Sequence, residues 1–248
     1  MAPIRKGDGT PLDIPGVSEV RSGDGRVFFE ADAIPDSVIH RYDARSLDAS
    51  DGDEITSMGD LEGGIDLQNN VEEGPLYDEN EHPSHPTLDY GGDSDNRGLE
   101  GELASDITGP FEIWVVVKPE SGTDSSATYV TNTDETFDGS RTSLGVTEGE
   151  HVLDRHDADL RGGFFGDDWA ILRAVVDGSD SKLYKNESVN ATGTVTNDMG
   201  YVDIGNAEES GNPYAGHVAE YIIFDDTLSS SEEQTLYDRL YDDWEINA

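Results

Sequence analysis

Apolar and polar residues alternate along many short stretches of this chain, a pattern typical of β-strands. The clearest stretch is FEIWVVVKP, residues 111–119. Its odd positions from 111 to 117 are all apolar, and Trp114 and Val116 make the opposite face apolar as well. Because a strand with two apolar faces is normally covered on both sides, we predict a central strand here.

Further alternating stretches follow at short, fairly even intervals. They are ATYVTN (127–132), RTSLGVT (141–147), WAILRAVVDG (169–178), SKLYKNESV (181–189), GYVDIGN (200–206) and HVAEYIIFDD (217–226). Many short strands separated by turn residues, with almost no helical spacing, predict an all-β chain folded as an antiparallel sandwich or barrel.

The last strand runs into the chain's one clear helical pattern. Strict alternation within the strand predicts one face made of Val218, Glu220, Ile222 and Phe224. A capping box, either Ser229 with Glu232 or Ser230 with Glu233, then marks a helix start. The apolar stripe that would hold this helix on the domain consists of Leu236, Leu240 and Trp244.

The order of these elements resembles the second half of a concanavalin A-like, laminin-G-type jelly roll. In that family a Trp-led strand runs into an Asp-Gly turn, and a later strand-plus-helix ends near a Trp. The matching positions are Trp169, Asp177, Gly178, Leu183, Tyr184, Ile204, Gly205, Gly216, Glu220, Leu228 and Trp244. The resemblance implies an antiparallel β-sandwich jelly roll over residues 39–248, closed by a short C-terminal helix.

Residues 1–38 are predicted to form a small β module of their own. The stretch VSEVRSGDGRVFFEA contains two alternating segments around Gly23-Asp24-Gly25, which indicates a hairpin. Together with IRKGDGTPL and IPDS, it resembles leader modules of structural proteins in tailed viruses of halophilic archaea. This resemblance implies a virion anchor or oligomerisation segment.

The charge of the chain indicates the salt conditions in which it folds. The chain has 55 acidic and 15 basic residues, for a formal net charge of −40. Such self-repulsion destabilises a compact state at ordinary salt, whereas molar salt screens charges over roughly 3 Å. The strands are too apolar for an acidic disordered protein. We therefore expect a folded halophilic protein.

The same sequence excludes or disfavours several kinds of site, location and partner. With no cysteine, the chain has neither disulfides nor thiolate metal sites. No apolar run approaches the roughly 20 residues of a membrane helix, and the N-terminal stretch lacks the apolar core of a signal peptide. Nucleic acid is not an expected partner because little positive charge is present to neutralise phosphates.

Catalytic patterns are weak. Some jelly rolls hydrolyse glycosides with an E-x-D-x-x-E strand, but EGELASD and VDIGNAEE have other spacings. The histidines of EHPSHP are three residues apart, which on a helix suits a metal ion, but Pro83 and Pro86 predict a surface loop instead. We expect no enzymatic activity.

Two acidic loops are candidates for Ca²⁺, which prefers oxygen ligands on flexible, Gly-containing loops. The candidate ligands are Asp89, Asp93, Asp95 and Asn96 in one loop and Asn132, Asp134 and Asp138 in the other. The alternative is that these are ordinary solvated acids of a halophilic surface. For a glycan, the candidates are the loop-borne Tyr214, with Asn212 and Tyr90.

The function expected from these patterns is a non-enzymatic virion structural protein of a haloarchaeal virus. As a tail fibre, spike or capsid turret or decoration, it would be a homo-oligomer attached to other virion proteins through residues 1–38. Its exposed domain would bind host-surface glycan or serve a purely architectural role. The alternative is a carbohydrate-active enzyme or carbohydrate-binding module of a halophilic archaeon.

Overall fold

A computed structural model gives the structure of the chain in twelve ranges. It describes residues 17–21, 27–31, 34–69, 73–91, 97–120, 128–132, 142–147, 150–155, 160–164, 166–196, 198–205 and 214–246. Side chains are described for most of these positions.

The described part of the chain contains eighteen strands, one α-helix and a short 3-10 helix at Ala44–Ser46. The first nine strands are β1 Val17–Arg21, β2 Val27–Ala31, β3 Val38–Asp43, β4 Ser57–Met58, β5 Leu67–Gln68, β6 Leu76–Asp78, β7 Thr87–Asp89, β8 Leu99–Ile107 and β9 Phe111–Pro119. The others are β10 Thr128–Asn132, β11 Thr142–Thr147, β12 Glu150–Arg155, β13 Leu160–Phe164, β14 Ala170–Val176, β15 Gly178–Lys185, β16 Ser188–Val195, β17 Met199–Ile204 and β18 Gly216–Phe224. The helix α1 is Ser230–Asp243.

These strands form an antiparallel β-sandwich, as predicted. One sheet has the order β13-β12-β11-β10-β17-β8-β5-β4, and the other has β16-β15-β14-β9-β18-β7-β6 with β3 also paired to β18. The predicted N-terminal hairpin is present as the pair β1–β2, which forms a two-stranded sheet of its own. Its role as an anchor stays a prediction, and its Gly-Asp-Gly turn lies outside the described residues.

β9 is the central strand that its two apolar faces predict. It pairs with β14 on one side and β18 on the other, and its residues from Phe111 to Val117 are all buried. Phe111, Ile113 and Val115 point into the core between the sheets, while Trp114 and Val116 point to the outer face. This strand therefore links two separate apolar clusters.

In β18 the strict alternation predicted from the sequence is wrong at the first two of its predicted positions, Val218 and Ala219. The pairing with β9 shifts between Val218 and Glu220, so that two residues of β18 oppose one of β9. This β-bulge turns Val218 toward the inter-sheet core with Tyr221, and it leaves Ala219 on the outer face. A period-2 pattern cannot reveal the bulge because Val and Ala suit either face.

Helix α1 covers the outer face of the second sheet. Ser229 is the N-cap, and with Glu232 it forms the first of the two predicted capping boxes. Leu236, Leu240 and Trp244 are fully buried against Trp114, Ile222 and other outer-face residues, as the stripe predicts. Across the described ranges, no helix is long and apolar enough to cross a membrane.

Two buried glutamates connect the sheet to the helical face. Glu112 accepts hydrogen bonds from the indole of Trp114 at 2.7 Å and from two guanidinium nitrogens of Arg173, each at 2.9 Å. Glu220 repeats the arrangement with Trp244 at 2.9 Å and Arg239 at 2.7 Å. A buried carboxylate is tolerated only when it is paired and hydrogen-bonded. The contacts of Glu220 therefore help to fix where the helix lies, and Arg173 reaches the helix through Glu233 at 2.5 Å.

Candidate functional site

The tyrosines predicted to bind a ligand are buried in the core. Tyr90 and Tyr214 are both 0% exposed, and their ring centroids lie 6.2 Å apart in an edge-on arrangement. Burial raises the pKa of both hydroxyls. Neither ring can stack on a sugar from this position, so the prediction that they form a surface binding site is wrong. Asn212 lies outside the described residues.

A glycine accounts for the burial of Tyr90. Gly205 has φ +91°, and a Cβ built there would lie 2.2 Å from the Tyr90 ring. The Tyr214 hydroxyl lies 3.4 Å from the carbonyl oxygen of His217 and donates to it. The two rings therefore pack beneath the start of β18. The position of Tyr214 in a predicted loop did not indicate that its ring is buried.

Of the predicted calcium ligands, only Asp89 has a described side chain. Asp93, Asp95, Asn96, Asp134 and Asp138 lie outside the described residues, as does the side chain of Asn132 in β10. Asp89 ends β7 and accepts a hydrogen bond from the backbone N–H of Gly91 at 2.7 Å. Calcium binding in these two loops stays a prediction.

Asp89 also belongs to a row of charged residues across three adjacent strands. His217 at the start of β18 is paired with Lys118 of β9 on one side and with Asp89 of β7 on the other. Residues directly opposite each other in a sheet point to the same face. These three side chains therefore converge on the outer face, the face that α1 covers further along.

The close approach of β18 and β9 at this point depends on Gly216. Its φ is +138°, and a Cβ there would lie 2.3 Å from the carbonyl oxygen of Lys118. Any side chain would push the two strands apart, so glycine keeps His217 and Lys118 in register.

Two further carboxylates reach this row from the end of β6 and the turn that follows it. Asp78 uses one oxygen to accept the backbone N–H groups of Asn80 at 2.7 Å and Glu81 at 3.2 Å. Its other oxygen lies 3.2 Å from Nε2 of His217. Glu81 forms an ion pair with the ammonium group of Lys118.

Aromatic rings pack beside the charged row. The Trp169 ring lies edge-on to His217 at 6.4 Å and edge-on to His82 at 5.4 Å. His82 is buried, and its Nε2 lies 2.8 Å from the carbonyl oxygen of Trp244. The EHPSHP segment is therefore a loop, as predicted, but its first histidine is structural rather than exposed.

A cavity of about 520 Å³ opens at these three strand ends. Its lining residues are Glu81, Asp89, Gly91, Lys118, Pro119, Glu120, Asp167, Gly216 and His217. A second cavity of about 590 Å³ is lined by His40, Asp106 and Asp225 among mainly apolar and small residues. We regard the first as the candidate site because charged groups of both signs converge there on rigid strand ends, which suits recognition of a polar ligand.

Sequence reasoning missed this site. Asp78, Glu81, Lys118 and His217 are separated by up to 139 positions, and no local motif joins them. The one available signal was weak: Lys118 is among four lysines in a strongly acidic chain, and it lies near the end of the most apolar strand.

Comparison with known proteins gives a fold and no family. No family model and no curated protein sequence matches the chain. Among solved structures, the botulinum neurotoxin serotype D binding domain is similar with a TM-score of 0.61 and 15% identity, over 84% of this chain and 53% of that one. The Trypanosoma rangeli sialidase in complex with sialic acid has a TM-score of 0.58 and 13% identity, over 85% and 34%.

A third similar structure concerns botulinum neurotoxin type C and its dependence on two ganglioside molecules. It has a TM-score of 0.58 and 13% identity, over 83% of this chain and 52% of that one. The chain thus spans about a third to a half of the proteins that it resembles. These comparisons confirm a β-sandwich of jelly-roll type.

Proposed function

We propose that the protein is a non-enzymatic glycan-binding domain and that the glycan occupies the cavity at the ends of β7, β9 and β18. The observation that carries this proposal is the row formed by His217, Lys118 and Asp89, which faces a 520 Å³ cavity. Carboxylates accept hydrogen bonds from sugar hydroxyls, and an ammonium group donates to them. Rigid strand ends hold these groups without an ordering cost on binding.

The chemistry of the lining selects the kind of sugar. Four lining carboxylates, those of Glu81, Asp89, Glu120 and Asp167, outnumber the single ammonium of Lys118. This excess repels an anionic sugar and suits neutral hexoses. The similar structures include one in complex with sialic acid and one concerned with gangliosides, and they support glycan binding as a class without fixing the sugar.

Binding without catalysis is favoured by the arrangement of the acids. Glycoside hydrolases place two carboxylates on opposite sides of the scissile bond. Here two of the four lining carboxylates lie beside cationic or imidazole groups: Glu81 is paired with Lys118, and Asp89 lies 3.9 Å from His217. The carbohydrate-active enzyme remains as an outcome of the test below.

The test is a glycan array probed in molar KCl with the full chain and with Lys118→Met. Loss of a charged hydrogen bond weakens binding roughly 10- to 100-fold. Lys182→Met, on β15 and outside the cavity lining, is the matched control and should bind as the wild type does. An array without signal would favour a purely architectural role, and cleavage of a bound polysaccharide would favour the enzyme.

The proposal includes a location on the surface of a haloarchaeal virus particle, with residues 1–38 joining a homo-oligomer to other virion proteins. Its support is the sequence: a charge of −40 and an N-terminal stretch that resembles viral leader modules. Immunogold labelling of purified particles tests it. A protein absent from particles but present in host cells would overturn the location while leaving glycan binding open.

A further inference from the structure

We propose that Asp78, Glu81 and His217 form a binding site for a first-row divalent metal ion, Zn²⁺ in particular, at the edge of the cavity that Glu81 and His217 line. One donor atom from each residue lies within 4.8 Å of the others, and no second group of three such donors occurs within the described ranges. None of these three residues belongs to the two loops predicted from the sequence to bind calcium, although Asp89 of the first loop lies beside them. The metal proposal does not rest on the glycan proposal, although Glu81 and His217 line the same cavity.

The geometry suits tetrahedral coordination. Ligand atoms about 2.0–2.1 Å from a tetrahedral Zn²⁺ lie about 3.3 Å from each other. Nε2 of His217 and Oδ2 of Asp78 are 3.2 Å apart. Oδ1 of Asp89 lies 3.9 Å from the same Nε2, close enough to become a further ligand or to orient a bound water.

Two of the three donors, those of Asp78 and His217, are held in place by contacts outside the cluster. Oδ1 of Asp78 accepts two backbone N–H groups, which leaves Oδ2 directed at His217. His217 is fixed by its strand pairing on both sides and by the edge-on ring of Trp169. Such outer contacts orient metal ligands and raise affinity because little motion remains to be lost on binding.

The donor types select the metal. Calcium takes six to eight oxygen ligands, whereas an imidazole with carboxylates suits zinc, manganese and related ions. Zn²⁺ binds most nitrogen–oxygen sites more tightly than Mn²⁺ does. We therefore expect Zn²⁺ to be preferred to Mn²⁺ and Ca²⁺ to compete poorly.

Lys118 has a specific part in this proposal. Its ammonium group is paired with Glu81, so a metal ion must compete with it for that carboxylate. If the cluster is only a set of ion pairs, removing this ammonium leaves uncompensated negative charge and creates no Zn²⁺ site. If the cluster binds metal, removing the ammonium frees a ligand and lowers the positive charge near the ion. Lys118→Met therefore should bind Zn²⁺ more tightly than the wild type.

The experiment is a calorimetric titration of the full chain with zinc nitrate in molar potassium nitrate, with circular dichroism to verify the fold of each variant. The wild type should bind Zn²⁺. Loss of a residue that only orients a metal ligand lowers metal affinity roughly 10–100-fold, so His217→Gln, which removes a ligand, should lower it by more than that. His40→Gln is the control, since His40 pairs with Asp60 at 2.6 Å without a third donor. It should bind as the wild type does.

Three results would overturn the proposal: no zinc heat in the folded wild type, equal affinity in His217→Gln, or weaker binding in Lys118→Met. Repeating the titration with calcium nitrate separates the metal classes, and Ca²⁺ affinity equal to that for Zn²⁺ would refute the assignment. A positive metal result with a blank glycan array would reject the proposed function and leave the metal site intact.

Discussion

Replacing Glu220 by Gln tests whether the helix is fixed to the sheet by a buried carboxylate. Glu220 is 1% exposed, and its two oxygens lie 2.7 Å from Arg239 and 2.9 Å from Arg41 and the Trp244 indole. Glutamine keeps the shape but removes the charge, and it directs an NH₂ group at a donor. The guanidinium groups then lose a counter-charge inside the protein.

The expected loss in the free energy of unfolding depends on which other carboxylates the arginines still contact. Breaking a buried ion pair costs about 3–5 kcal/mol because one charge is left uncompensated. Arg41 also contacts Asp43, and Arg239 also contacts Asp243 at 3.1 Å, so neither is left without a carboxylate. We therefore expect the lower end, about 3 kcal/mol, which for a chain of this size lowers Tm by about 6–12 °C.

Denaturant unfolding followed by tryptophan fluorescence measures this cost at low and at molar KCl. The difference from the wild type should persist in high salt because buried pairs are screened much less than exposed ones. Asp242→Asn, an exposed position on the same helix, is the control and should stay within about 0.5 kcal/mol. A cost below about 1 kcal/mol for Glu220→Gln would show that the buried pairing contributes little.

Three further predictions concern stability. Trp244→Ala should cost about 3–5 kcal/mol because the ring is fully buried, and Trp244→Phe should cost less; equal losses would refute packing as the cause. Burial lowers the pKa of His151 to about 4 from an ordinary 6.5, so the folded state binds fewer protons than the unfolded state between these values. Stability should therefore fall as pH drops from 6.5 to 4, by up to about 3 kcal/mol, and His151→Asn should flatten this slope. With a net charge of −40, the urea midpoint should rise steadily with KCl, and a midpoint independent of salt would contradict the halophilic interpretation.

Local patterns determined most of the fold. The two apolar faces of residues 111–117 predicted a central strand because only coverage on both sides removes such a surface from water. The serine–glutamate spacing at 229–232 predicted the helix start, since the two groups satisfy each other's backbone N–H. These inferences succeed because the interactions that decide them lie within a few residues along the chain.

Other features depended on the tertiary structure. The bulge in β18 moved Val218 to the opposite face, and packing against Gly205 buried Tyr90 together with Tyr214. The candidate site itself exists only through strand pairing, which aligns His217 with Lys118 and Asp89. The sequence by itself determined the most regularly patterned strands, the helix and the acidic composition. Only the register between strands decided which charged residues meet, because cross-strand neighbours are set by long-range pairing rather than by spacing along the chain.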